Sequence, residues 1–206
     1  MKVRYNAPVV LTFTLLAVAV QVLGTLTGNT STQLFAAAPP SFHPPYAIQY
    51  LGLVTHPLGH AGWSHLFGNF MLVLLLGPLL EERHGSWPLL QMMLITALVT
   101  GLCNALFFDT YLVGASGIVF MFILLGSMSN FRRGEIPLTF VLVAVIFLGR
   151  ELVNIFQLDE VSQFAHIAGG LMGAGFGFAR ARGAAIELPP LPELPEEPAQ
   201  VGVKPR

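Results

Sequence analysis

Apolar runs of about 15 to 22 residues recur along most of this chain, each closed by a charge, a glycine, a proline or an asparagine. A soluble helix keeps one polar face, and runs of this length leave none. The hydrocarbon layer of a bilayer is about 30 Å thick and takes roughly 20 apolar residues of helix, so the runs fit lipid as their solvent. Composition agrees: 54% of the 206 residues are hydrophobic and 10% are charged, where a soluble domain carries about 25% charge. The expected fold is an all-α, polytopic membrane helical bundle. The net charge of -1 points to no nucleic-acid partner, and the single cysteine, Cys103, has no partner in the chain for a disulfide.

The pattern predicts six transmembrane helices, over 8–27, 65–80, 87–108, 116–130, 136–155 and 163–179. Six spans put both termini on one side. Lys2, Arg4, Arg83, Arg132, Arg133, Arg180, Arg182, Lys204 and Arg206 all fall on that side, and Arg150 alone does not. The positive-inside rule makes that side the cytoplasm, in a multi-pass protein of the cell membrane. The first loop, 28–64, has no Lys or Arg and faces outward. Lys2 and Arg4 ahead of the first run, with Ala36-Ala37-Ala38 behind it, also resemble a signal peptide, but the run is longer than the usual apolar segment and is expected to be a retained helix. Residues 1–183 thus form one membrane domain, and 184–206, rich in Pro and Glu, form an extended or disordered cytoplasmic tail.

Several spans carry polar residues that hydrocarbon should exclude. Counted from the cytoplasmic charges, Ser116, His166 and His65 all stand roughly 21 to 24 Å up, at about 1.5 Å of rise per residue. Each is then near the outer end of its helix, and the fourth span is too short to cross alone. The chain before it must enter the membrane as non-helical backbone, which requires protein or a water-filled cavity around it. Intramembrane polar residues from three helices at one level are a functional hypothesis.

A serine becomes a nucleophile when a base lies within hydrogen-bond reach, and His166 is the candidate base. Gly114 and Gly117 allow a tight turn at the helix start, where free N–H groups can stabilise an oxyanion. His65 and Asn69, four apart, share a helix face and can both point into the pocket as donors. Taken singly, each piece has a plainer reading. Ser116 between glycines suits a small-residue helix contact, His65 and Asn69 suit a satisfied helix end, and Gly169, Gly173 and Gly177 beside His166 have the spacing of close helix packing.

Together the motifs resemble the rhomboid family of intramembrane serine proteases, over about residues 50 to 180. They are His65-Leu-Phe-Gly-Asn69, Glu81-Glu-Arg83-His-Gly85, Gly114-Ala-Ser116-Gly117 and Ala165-His166-Ile-Ala-Gly169, with Gly173 one turn later. The resemblance implies a rhomboid-like bundle in which Ser116 is the nucleophile and His166 its base, as a dyad. It further implies that His65, Asn69 and the Ser116 N–H bind the oxyanion, and that Glu81 and Arg83 stabilise the cytoplasmic ends. Single-span membrane protein substrates would be cut near the outer leaflet, in a site opening outward, without metal or cofactor. Thr55-His56-Pro-Leu-Gly-His60 fits the partly embedded first loop of such proteins.

Two positions depart from the family pattern: Phe120, one turn after Ser116, stands where many relatives have Tyr, and Leu51-Gly52 where many have Trp-Arg. Phe120 can still stack on His166 without contributing a hydroxyl. Arg150, near the catalytic level on the fifth span, either snorkels or pairs with Asn154, or meets substrate in the gate that the resemblance implies for that span and a cap loop. The competing functions are a non-catalytic relative that escorts membrane segments, and a metal site at His56, His60 and His65. Pro57, Gly59 and Gly62 argue against the continuous helix the latter needs.

Overall fold

The computed structural model describes residues 5–28, 47–108, 111–128, 135–154 and 163–184, all of which fall in helices or the short segments joining them. The helices are α1 (Pro8–Leu26), α2 (Ala47–Thr55), α3 (Trp63–His84), α4 (Ser86–Phe107), α5 (Ser116–Ser127), α6 (Leu138–Asn154) and α7 (Gln163–Ala184), with one 3-10 turn at His56–Leu58. The described residues form an all-α bundle of apolar helices. Six helices correspond to the six predicted runs, and α2 is an addition inside the first loop. The stretch 36–38 and the tail beyond residue 184 lie outside the described residues, as do the side chains of Arg150 and Asn154.

Local chemistry explains where the helices stop and start. Pro8 opens α1, where its missing N–H costs nothing, and Gly28 closes it at φ +61°, a conformation that a side chain disfavours. Gly85, at φ +84°, turns α3 directly into α4. By length and composition α1, α3 and α4 can each cross a bilayer. Their outward side chains, Leu15, Leu23, Phe67, Met71, Leu75 and Leu94 among them, are exposed and apolar, as a lipid-facing surface requires.

The centre is α5. Every residue from Gly117 to Leu125 is buried, so this helix is apolar all round because it is surrounded by other helices. It has 12 residues and ends at Ser127, three short of the predicted end. Its rise is about 18 Å, well short of the roughly 30 Å of a bilayer's hydrocarbon layer. Among the described residues the most extensive packing is between α5 and α7. A Cβ on Gly169 would run into the backbone of Gly117, and one on Gly173 into the backbone of Met121. Gly177 continues the row against the side chain of Met128. The four-residue glycine spacing is therefore a close backbone contact that fixes the register of α7 on α5.

At the opposite end from Ser116, the buried carboxylate of Glu81 accepts the Val9 and Val10 N–H groups at 3.0 Å each. The Ser86 hydroxyl donates to the same carboxylate at 2.7 Å. Glu81 thus caps the first turn of α1 from the last turn of α3 and joins both to the start of α4. The beginning of α1 and the end of α3 therefore lie on the same side of the bundle.

Candidate active site

Ser116 is the first residue of α5, where the turn ahead of it leaves the helix's N–H groups without intrahelical acceptors. That turn is built on Gly114, which has φ +114° and so favours glycine. Space demands glycine as well: a Cβ there would lie 2.6 Å from His65 Cε1 and 2.9 Å from His65 Nε2, with Asn69 Nδ2 at 3.6 Å. His65 and Asn69 therefore project from one face of α3 onto the backbone two residues before Ser116. Asn69 is 8% exposed and its amide nitrogen has no hydrogen-bond partner, so a buried donor stands ready at the turn.

His166 enters from α7. Its ring lies on that of Phe120 with centroids 4.6 Å apart and planes 8° apart. Phe120 is one turn after Ser116 on α5, and the Gly169–Gly117 contact sets the two helix starts side by side. Ser116 is half-buried and His166 buried. His65, against Gly114, and His166, against Phe120, thus lie on the residues either side of Ser116. Ser116, His166, His65, Asn69, Gly114 and Phe120 come together here, with Gly169 just behind. Glu81 does not, standing at the far end of α3.

Two histidines of the first loop, weighed in the sequence only as loop or ligand residues, hold the turn from behind. The Gly114 N–H donates to the His56 carbonyl at 3.1 Å, and the Ala115 N–H to His60 Nε2 at 3.3 Å. The N–H groups of Gly114 and Ala115 are therefore engaged away from the pocket, and what Gly114 supplies there is room. The His56 ring is itself anchored on α4, with Nε2 3.1 Å from the Ala97 carbonyl oxygen and 3.2 Å from Thr100 Oγ1. The His60 ring packs edge-on against His65 at 5.1 Å and Phe70 at 5.6 Å. Burial holds the pKa of His56 down at about 4. Burial, followed by the charge of His65, holds that of His60 down at about 4. The neutral His60 ring can accept the Ala115 N–H; a ring protonated on both nitrogens cannot.

An aromatic group lines the edge of this end of the bundle, where Phe164 touches Phe108 at 5.4 Å and Phe107 at 6.3 Å. Leu112 and Ala165 form a small buried cluster that ties the turn before Ser116 to the start of α7. The arrangement presents a hydroxyl, imidazoles and an amide at a recessed helix start, the groups required for acyl transfer.

Comparison with known proteins gives the same family. The family model described as the Rhomboid domain matches residues 47–183. Rhomboid-related protein 1 of Caenorhabditis elegans is 34% identical over 131 residues, covering 58% of this chain and 36% of that protein. The rhomboid protease GlpG of Yersinia pestis is 25% identical over 182 residues, covering 86% of this chain and 64% of its own length. The GlpG of Yersinia pseudotuberculosis matches equally. The chain thus spans less than two thirds of the length of these relatives.

Proposed function

Since the chain belongs to the rhomboid family, we propose that it is an intramembrane serine endopeptidase that cleaves transmembrane segments through a Ser116–His166 dyad. The observation that carries this reading is the stack of His166 on Phe120. It orients an imidazole over the helix turn that begins with the serine.

In the proposed reaction the Ser116 hydroxyl attacks the scissile carbonyl while His166 takes its proton. The negative oxygen that forms is held by the Ser116 N–H, the Asn69 amide and His65. His166 then returns the proton to the leaving amine. Water entering the recessed pocket hydrolyses the acyl-enzyme, with His166 again as base. Removing one oxyanion donor costs on the order of 10²- to 10³-fold in turnover where this has been measured, so Asn69→Ala should lower kcat by about that factor. Substrates would be single-span membrane proteins, entering from the bilayer and cut near the outer leaflet. The topology that goes with this has six spans, cytoplasmic termini and an outward-opening site in the cell membrane. The capping of α1 by Glu81 supports it, because it pairs the two ends assigned to the cytoplasm.

A fluorophosphonate probe on purified, folded protein is the direct test. Labelling that vanishes in Ser116→Ala and falls sharply in His166→Ala, together with cleavage of a single-span reporter by wild type alone, is the expected result. A folded protein that neither labels nor cleaves would sink the protease reading in favour of a non-catalytic binder of membrane segments.

A further inference from the structure

Helix α6 presents one face to the bundle. Val141, Leu142, Val145 and Ile146 are exposed, while Phe140, Val143, Ala144 and Phe147 pack against the core at i, i+3, i+4 and i+7. Among the described residues this helix packs mainly on α5 and α7. Two of its contacts are ring to ring. Phe140 meets Phe178 of α7 at 5.7 Å with planes 79° apart. Phe147, about two turns further along, meets Phe120 of α5 at 5.9 Å with planes 85° apart.

Phe120 is therefore the meeting point of rings from two other helices. His166 lies parallel to it, with centroids 4.6 Å and planes 8° apart, and Phe147 stands perpendicular to it. A parallel stack fixes two rings relative to each other and leaves the pair free to tilt together. A third ring at a right angle, carried by a different helix, opposes that tilt, because turning Phe120 would break the edge-to-face geometry that aromatic pairs favour. Phe120 is 9% exposed, so its ring has close-packed neighbours rather than solvent to turn into.

We propose that Phe147 is a positioning residue for the reaction: its ring holds that of Phe120 and, through it, sets the orientation of the His166 imidazole. The base is then in place only while α6 is seated on α5. This role rests on the protease reading above and makes the dyad depend on a helix that supplies neither of its members.

The test follows fluorophosphonate labelling and reporter cleavage side by side in the purified full chain. The probe is small, so its rate reads the dyad without the entry of a membrane segment. Phe147→Leu keeps apolar bulk at a half-buried position and removes the ring. It should slow labelling and lower kcat by about tenfold, with KM within about twofold of wild type. Phe147→Tyr, which keeps the ring, should recover most of the rate. Phe140→Leu, which loosens the same helix away from Phe120, should label as wild type does. In the Phe120→Ala background Phe147→Leu should cost nothing further, since a residue that acts through Phe120 has nothing left to act on. Rates are compared at a temperature well below the melting midpoint of every variant. Labelling of Phe147→Leu at the wild-type rate, or an equal loss with and without the Phe120 ring, overturns the positioning role and leaves the protease reading standing. Folded wild-type protein that does not label overturns both.

Discussion

Phe120 and His166 lie ring on ring, 4.6 Å between centroids and nearly parallel, across the crossing of α5 and α7. The aromatic face limits the tilt of the imidazole and leaves its edge to point along the pocket. A phenyl ring does this as well as a phenol, so the family's more frequent Tyr is not needed for the geometry.

Phe120→Tyr is therefore expected to keep activity within a few-fold of wild type. Phe120→Ala, which removes the face, should lower kcat by roughly 10²-fold with little change in KM, because a displacement near 1 Å at a reacting group costs about that much. Steady-state cleavage of a single-span reporter checks both. Equal activity of wild type and Phe120→Ala would remove the ring from the mechanism.

His60→Ala removes the acceptor of the Ala115 N–H, one residue before Ser116. The turn should loosen, and kcat should fall by about tenfold or more while the chain still folds in detergent. His60→Gln, whose side-chain carbonyl can accept the same N–H, should recover part of the loss.

The same loop makes stability depend on pH. His56 and His60 titrate near 4 in the folded protein and near 6.5 when unfolded. Above pH 6.5 both states are neutral there and the loop's contribution is fully present. As pH falls from 6.5 to 4 the unfolded chain takes up protons that the folded loop refuses, and stability is lost by up to roughly 3 kcal/mol per histidine. Melting midpoints measured from pH 7.5 to 4.5 should fall for wild type and fall less steeply for His60→Gln. Parallel curves would count against this role.

Glu81→Ala strands the Val9 and Val10 N–H groups and the Ser86 hydroxyl at once. A loss of roughly 2 to 4 kcal/mol is expected, visible as a lower melting midpoint. Activity per folded molecule should stay near that of wild type, since Glu81 is at the far end of α3 from Ser116.

Gly169→Ala places a methyl group against the backbone of Gly117, which cannot move without parting α5 from α7. Both stability and activity should drop, by about 2 kcal/mol or more in the former. Gly175→Ala, on the same helix with open space around it, is the matched control and should change neither. If the two variants behaved alike, the close crossing would not be what holds the proposed dyad in register.

Much of the site was legible in the sequence because depth in a membrane is a one-dimensional quantity. Counting residues from Arg132 or Arg180 is enough to level Ser116 with His166 and His65, and an i, i+4 spacing is enough to put His65 and Asn69 on one face. The small loop helix α2 was not legible, since its nine residues are too short and too mixed to show a period. The work of His56 and His60 was hidden for another reason. Histidines before a helix look the same whether they bind metal, substrate or backbone, and here their partners, the carbonyl of Ala97 and the N–H of Ala115, lie 41 and 55 residues away in the chain.

Hydrophobic run length by itself determined that this chain folds as apolar helices and where they begin and end to within a few residues, and the count from the flanking charges gave the level expected for its polar side chains. Only the tertiary structure decided the lateral arrangement at that level. Which helix touches which depends on where two backbones can approach closely, and that is set at single contacts: Gly169 on Gly117, Gly114 beneath His65, Glu81 over the first turn of α1. Hydropathy is blind to these contacts, because a glycine that meets another backbone and a glycine that faces lipid read identically until the helices are packed.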